Sequence, residues 1–279
     1  MTHRTKAVRK GEDDLEAKLR RGFKRIGRQV AERAVAELSN LLKADPEDAA
    51  VNAAANAAIE GADWTLLIEP TEEQLRQVAL DGAKQALLRL GVTDEDVTEQ
   101  VFQTAADWAK ERAAEMVGRK YNSAGDLVDN PDSDMSIVDS TRDELKALIG
   151  KGIEEGQSAQ DLADAIEDSL AFSADRALLV ARTEIIRANN QGHLAAFRAS
   201  GVVEKKEWST AEDGDVCDEC EANEAQGPID LDEDFESGDD AAPAHPNCRC
   251  TIVAVTAELE DNSTDDEEQS DEEDDGGPQ

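Results

Sequence analysis

This chain is poor in aromatic residues, in long apolar runs and, over two stretches, in positive charge. Aromatics make up 3% of its 279 residues although 39% are apolar, so a core must be assembled from alanine and branched aliphatic side chains, as in close-packed helices. The uncharged run from Ala49 to Ile59 is alanine-rich and far shorter than the roughly 20 residues that a membrane helix needs. The start, MTHRTKAVRK, is basic but lacks the apolar centre of an export signal. The expectation is a chain made and folded in the cytoplasm, without membrane contact, where thiols stay reduced.

Lysine and arginine are missing from Glu207 to Cys248 and again from Glu258 to Gln279. The whole chain carries 29 basic against 65 acidic residues, a formal charge of -36. At ordinary ionic strength that much negative charge repels nucleic acid and strains a compact state. At molar salt the Debye length falls to roughly 3 Å and the strain vanishes. In this respect the chain resembles proteins of salt-loving microbes; the alternative is docking on a basic partner.

The four cysteines all fall between positions 217 and 250. Cys217 and Cys220 form a C-x2-C pair, and after a long acidic excursion His245, Cys248 and Cys250 arrive together. A thiolate pair on a tight turn, joined by a second pair from a distant segment, is the pattern of a tetrahedral structural zinc site. Four thiolates, or three thiolates with the His245 imidazole, both satisfy it. A disulfide or free thiols would be the plain alternative, disfavoured in a reducing compartment. The acidic excursion itself reads as exposed chain hung from the site.

From the amino end, Lys18, Arg20, Arg21, Lys24, Arg25 and Arg28 form a basic helical segment suited to DNA phosphate or a partner's acidic surface. Helical periodicity continues through Leu41 and stops near Asp45-Pro46. Capping patterns at Thr71-x-x-Gln74 and Thr93-x-x-Asp96 open further helices, and Trp64 and Trp108 read as core. Residues 121–140, rich in Asp, Asn, Ser and Pro, read as a linker. Beyond it, Thr141-x-x-Glu144 and Ser158-x-x-Asp161 cap two helices, and a longer one runs from Ser173 to Gly201. Strands are expected over Val202–Thr210 and Cys248–Thr256. The fold class is α+β: a helical module over 1–120, a linker, a small α+β domain over 141–256 with a short zinc-stapled antiparallel sheet, and an acidic tail over 257–279.

Several of these residues recur in a recognisable order. Ala181-Arg182-Thr183-Glu184, then Asn189, Gly192 and Gly201, then Trp208, Thr210 and Asp213, then Cys217-x-x-Cys220 and finally His245-Pro-Asn-Cys-Arg-Cys250 together resemble the phage Mu F-like head morphogenesis family, minor capsid proteins of tailed viruses. The resemblance implies a virion protein without enzyme activity, placed inside the head near the portal vertex. It further implies contacts with the portal protein and the major capsid protein and a role in head assembly and genome packaging or delivery; contact with packaged viral DNA is expected from the basic amino-terminal segment alone. The extreme acidity is a departure that a haloarchaeal host would explain. Two other classes remain in view. An ADP-ribosyltransferase would use Arg182, Ser209-Thr210 and Glu258-x-Glu260, although E-x-E arises trivially in so acidic a tail. A cellular zinc-bearing adaptor would share the metal but not the portal.

Overall fold

The computed structural model describes residues 5–41, 48–133, 136–211, 214 and 216–256. Its longest element, α1 (Lys6–Leu41), is 36 residues long. Leu15, Leu19, Phe23, Ile26, Val30, Ala34 and Leu38 step along it by three or four residues, and all are buried. That spacing makes one apolar stripe. The stripe packs against α3 (Ile68–Arg89), α6 (Ala159–Glu167) and α7 (Ala174–Ser200), while α2 (Asp48–Glu60) and α5 (Ile137–Glu154) close over the same core. The expected core roles of the tryptophans hold for Trp64, which is buried, donates from Nε1 to the Ile59 carbonyl at 2.9 Å and stacks on Phe172; Trp108, on α4 (Glu95–Glu115), is half-buried.

Two glycines let α3 and α7 lie backbone to backbone. A Cβ on Gly192 would sit 2.1 Å from the Ala79 carbonyl oxygen, and one on Gly82 would sit 2.6 Å from the Asn189 carbonyl oxygen. Because this contact is so close, α3 and α7 contribute to both hydrophobic clusters of the protein. One is the helical core reaching from Val8 to Ala188; the other is a smaller core beneath the sheet.

The ends of α7 follow the sequence reading closely. Ser173 Oγ accepts from the Arg176 amide, and Gly201 closes the helix in the left-handed region at φ 68°. Ser158 and Asp161 form the expected capping box of α6. Three other starts are corrected. Helix α5 begins a turn earlier, capped by Ser136, so Thr141 is an interior residue whose buried hydroxyl donates to the Ile137 carbonyl at 2.6 Å. Thr71 is likewise buried inside α3, which continues directly from a 3-10 turn over Trp64–Leu67. The cap of α4 is Asp94 rather than Thr93. A hydroxyl followed three residues later by an acid or amide also suits a helix interior, where the hydroxyl bonds back to the preceding turn.

The stretch expected to be a linker is structured in part. Strand β1 (Arg119–Tyr121) pairs antiparallel with β2 (Leu127–Asp129), around a turn in which Asn122 Oδ1 accepts from the amides of Ala124 and Asp126. Helix α5 starts only a few residues later. Three-residue strands are too short to show period-two alternation.

The remaining elements are β3 (Val203–Ser209), α8 (Asp218–Ala225), β4 (Ile229–Asp230) and β5 (Thr251–Thr256). They give an antiparallel sheet in the order β4-β3-β5, with Trp208 opposite Ile252 and Lys205 opposite Asp230. An α+β architecture with a small antiparallel sheet is therefore observed. None of the helices among the described residues is long and apolar enough to cross a membrane.

Candidate metal centre

Cys217 and Cys220 are brought together by the start of α8. Cys217 is the N-cap, its Sγ accepting from the Cys220 amide at 3.4 Å, so the C-x2-C pair points off the first turn of a helix. The opposing donors come from the loop that leads into β5. A turn in which the Cys248 amide donates to the His245 carbonyl, with Asn247 in the left-handed region at φ 64°, folds the His-Pro-Asn-Cys segment back on itself. Asparagine is among the few residues that tolerate that conformation.

The two halves meet at Cys220. Its Sγ lies 3.7 Å from Cys248 Sγ and 3.3 Å from His245 Nε2. The donor atoms of Cys217, Cys220 and His245 lie within 4.8 Å of one another, as do those of Cys220, Cys248 and Cys250. Sulfurs bound to one zinc at about 2.3 Å in a tetrahedron stand roughly 3.8 Å apart, close to the Cys220–Cys248 separation. None of the four cysteines is in a disulfide. Each trio is a group of Cys and His donors that could hold a metal ion, and Cys220 is common to both.

The surroundings orient the donors. A carbonyl can only accept, so the 3.0 Å contact between His245 Nδ1 and the Pro246 carbonyl places the proton on Nδ1 and leaves the Nε2 lone pair facing Cys220. Trp208, fully buried on β3, lies against Cys250, whose thiol is pushed up to about 11 because Cys248 and burial outweigh the hydrogen bond to Cys220; the Trp208 Nε1 is buried without a well-aligned partner among the described residues. Hydrogen bonding to Cys248 and Cys250, together with burial, pushes the Cys220 thiol far up, while hydrogen bonds from Cys220 and Cys250 hold Cys248 well below the usual thiol range. Packed together without a cation, the trio favours one thiolate and leaves the others protonated.

Helix α7 and the acidic excursion hold this arrangement in place. Thr183 Oγ1 accepts from the Asn247 amide at 2.9 Å. Asn190, buried on the same helix, donates to the Cys250 carbonyl and accepts from the Thr251 hydroxyl and the Ile252 amide. Thr210 donates from its amide and its hydroxyl to Glu224 of α8, tying the end of β3 to the helix that carries Cys220. The sequence reading named Thr210, Trp208 and Asn189 but missed Asn190, Glu224 and Lys206. Lys206 is fully buried and donates from Nζ to the carbonyls of Leu231 and Asp240 at 3.1 and 2.8 Å.

That lysine corrects the picture of an exposed excursion. Phe235, Ala241 and Ala242 are buried, and Phe235 meets Trp208 edge-on at 5.0 Å. Arg198 and Gln191 of α7 bond Asp232 and Asp240. A charge-rich segment orders here because cations and amides of α7 and β3 serve its backbone and carboxylates. Lys206 shares a strand face with Trp208, which was the available signal.

The other expected site residues lie elsewhere. Glu184 is buried in a bidentate pair with Arg112 of α4, both contacts at 2.8 Å, so it ties α4 to α7. Burial raises its carboxyl, and the Arg112 guanidinium, by charge and hydrogen bonding, outweighs that and holds it below the usual carboxylate range. Arg182, also on α7, keeps its Nε buried without a partner among the described residues. Lys18, Arg20, Arg21, Lys24, Arg25 and Arg28 lie on α1, apart from the cluster. Asp213, Glu258 and Glu260 lie outside the described residues.

No curated protein and no solved structure matches the chain. A family model described as Phage Mu protein F like protein matches residues 143–253, a span that opens in α5, takes in α7 and both halves of the cysteine cluster, and ends inside β5. Over that span the chain is similar to the phage Mu F-like family, which suggests a phage head morphogenesis protein.

Proposed function

We propose that this protein is a minor capsid protein placed inside the head of a tailed virus, at or near the portal vertex, where it assists head assembly and genome packaging or delivery. The observation that carries the reading is the family match over residues 143–253, whose span includes all five candidate donors. In this reading the centre is structural. Its donors, thiolates with an imidazole in reserve, suit zinc, and a bound ion would supply the positive charge that lets neighbouring thiols ionise together. Cys220 and Cys248 would hold it, completed from Cys217, Cys250 and His245.

The helices before residue 120 serve as the platform against which α7 is set, and the portal protein and major capsid protein are the expected neighbours. The basic face of α1 offers the contact to packaged DNA or to the portal. The net charge of -36 fits a virus assembled in a host of high internal salt, such as a haloarchaeon.

Density for this chain at the portal vertex of intact virions is the expected result of electron cryo-microscopy, and its absence from purified virions would overturn the assignment. Elemental analysis of the reduced chain, purified without chelator, should give about one zinc per chain; a metal-free, folded protein would remove the zinc assignment alone.

A further inference from the structure

Beside the cysteine cluster a groove runs along one side of α7. Arg176, Leu179, Val180, Thr183, Glu184 and Arg187 line it, and their steps of three and four residues set them in one stripe. From Arg176 to Arg187 that stripe is about 17 Å long at 1.5 Å per residue, or about three helical turns. Met116 and Ile137 also line the groove. Leu170 adjoins the end where Arg176 bonds the Ala171 carbonyl, and His245 and Pro246 adjoin the part where Thr183 holds the Asn247 amide. The space measures about 680 Å³, within the range of roughly 300–1,000 Å³ found for binding clefts. Leu170 is 70% exposed and Leu179 is 41% exposed, and large apolar side chains left in water side by side mark an interaction surface.

The arginines of the groove differ in what they already hold. Arg112 is spent on Glu184 and Glu115. Arg176 gives its terminal nitrogens to Thr141, Ala171, Ile137 and Ser140 at 2.6 to 3.2 Å, which fastens α7 to α5. Arg187 donates no hydrogen bond among the described residues. Its Nε is buried without a partner, 3.8 Å from a Glu184 carboxylate already committed to Arg112, and Asp239 senses its charge but accepts nothing from it. Of the acidic lining, Glu144 accepts from the Ala171 amide at 2.8 Å, and the exposed Asp175 stands at the opposite end of the stripe. A guanidinium with open donors at one end of an apolar trough is matched by a carboxylate presented among apolar side chains.

We propose that this groove receives an amphipathic helix of a partner protein, about three turns long, whose apolar face covers Leu170, Leu179 and Val180 and whose carboxylate, at one end, is held by Arg187. The length of the stripe favours a helix over a small amphiphile. So does Leu170, which stands so far out that only an occupant extending past the cleft covers it. The contact persists at high salt, because apolar burial does not depend on charge and a partly desolvated ion pair is screened much less than an exposed one. It stands or falls independently of the virion reading.

Fluorescence anisotropy of the full chain with labelled, alanine-based helical peptides tests the contact. The peptides have about 14 residues, leucine at i, i+3 and i+7, and one glutamate at either end, so that both helix directions are offered. One of them should bind, and binding should hold in about 1 M salt. Leu170→Asp and Leu179→Asp, at exposed positions outside the buried core, should each weaken it about tenfold or more. Changing the peptide's glutamate to glutamine should cost about tenfold with the parent chain and almost nothing with Arg187→Gln. Failure of both peptides to bind, binding that the two leucine variants leave unchanged, or binding lost at about 1 M salt would overturn the proposal. An equal loss with the parent and with Arg187→Gln would do the same. A parent chain that sediments as a dimer, returned to monomer by Leu179→Asp, would give the groove to a second copy instead and equally overturn it.

Discussion

The helical core around α1, α3 and α7 and the small core under the sheet are built on opposite economies. The first buries a long roster of aliphatic residues from Val8 to Ala188 in one cluster and holds its shape mainly by area, with about 25 cal/mol for each Å² of apolar surface removed from water. The second collects fewer residues, among them Trp208, Phe235, Cys220, Cys248 and Cys250, and places polar or metal-binding groups where the first has methyl groups. A core of that size over an acidic excursion needs directional bonds. The helical part should therefore tolerate loss of the cysteine cluster, and the sheet should not.

Breaking the cluster at its shared donor should give the largest effect. Cys220 belongs to both groups of donors, so if a metal is held there, Cys220→Ser removes the donor that the two groups share. The expected result is loss of bound metal and of the near-ultraviolet signal of Trp208, with far-ultraviolet helicity largely kept. Structural zinc sites contribute on the order of 10 kcal/mol to folding of their units, which far exceeds any single contact in the sheet. Cooperative loss of helix and sheet together in this variant would erase the distinction between the two cores.

Glu184→Ala tests the opposite region. It takes from the largely buried Arg112 guanidinium its bidentate partner and leaves the 2.7 Å bond to Glu115. Leaving one member of a buried pair unpartnered costs about 3–5 kcal/mol, and the remaining Glu115 bond puts the expectation at the lower end. The loss should appear in the unfolding of α4 and α7, with metal content unchanged. Because the folded carboxyl titrates below its ordinary value, the pair's stability is present above the unfolded pKa and is lost as pH falls through the folded one.

His193 lies where the two cores join, on α7, buried and stacked on Phe197. Burial, aided by the Arg89 charge, pulls its pKa down to about 4 from 6.5. The folded state then binds fewer protons than the unfolded chain between those values. Its contribution is complete above pH 6.5 and is lost as pH falls toward 4, on the order of 3 kcal/mol in all. His193→Asn should flatten the stability profile in that window by a comparable amount, and an unchanged slope would show that His193 is not the group that titrates there.

What was legible divides along the same line. The periodic apolar stripe of α1, the caps at Ser158 and Ser173, the stop at Gly201 and the two strands could be read because each is a local pattern in consecutive residues. The cysteine–histidine cluster was legible because cysteine is scarce and its spacing is chemical. Asn190 could not be found this way, since its bonds reach the carbonyl of Cys250 and the amide of Ile252, some 60 positions on. Nor could the pairing of Glu184 with Arg112, or the ordering of the excursion around Lys206. Each depends on which distant backbone the fold brings alongside, and the hairpin at Arg119–Asp129 was simply too brief to carry a period.

The smallest effect tests the local end of that comparison. Ser158 Oγ accepts from the Asp161 amide at 3.2 Å, and the Asp161 carboxylate accepts in return from the Ser158 amide and hydroxyl, which is why that carboxyl is held below its usual range. Ser158→Ala removes one of these partners at an exposed helix start and should cost about 1 kcal/mol. Helix α6 packs on α1 through Leu162, Ala163 and Ile166, so the loss should register in the helical core and leave metal binding unaltered. A loss several times larger, or one that also lowers metal affinity, would mean that the two cores are coupled through α1 and α7 more tightly than their different construction implies.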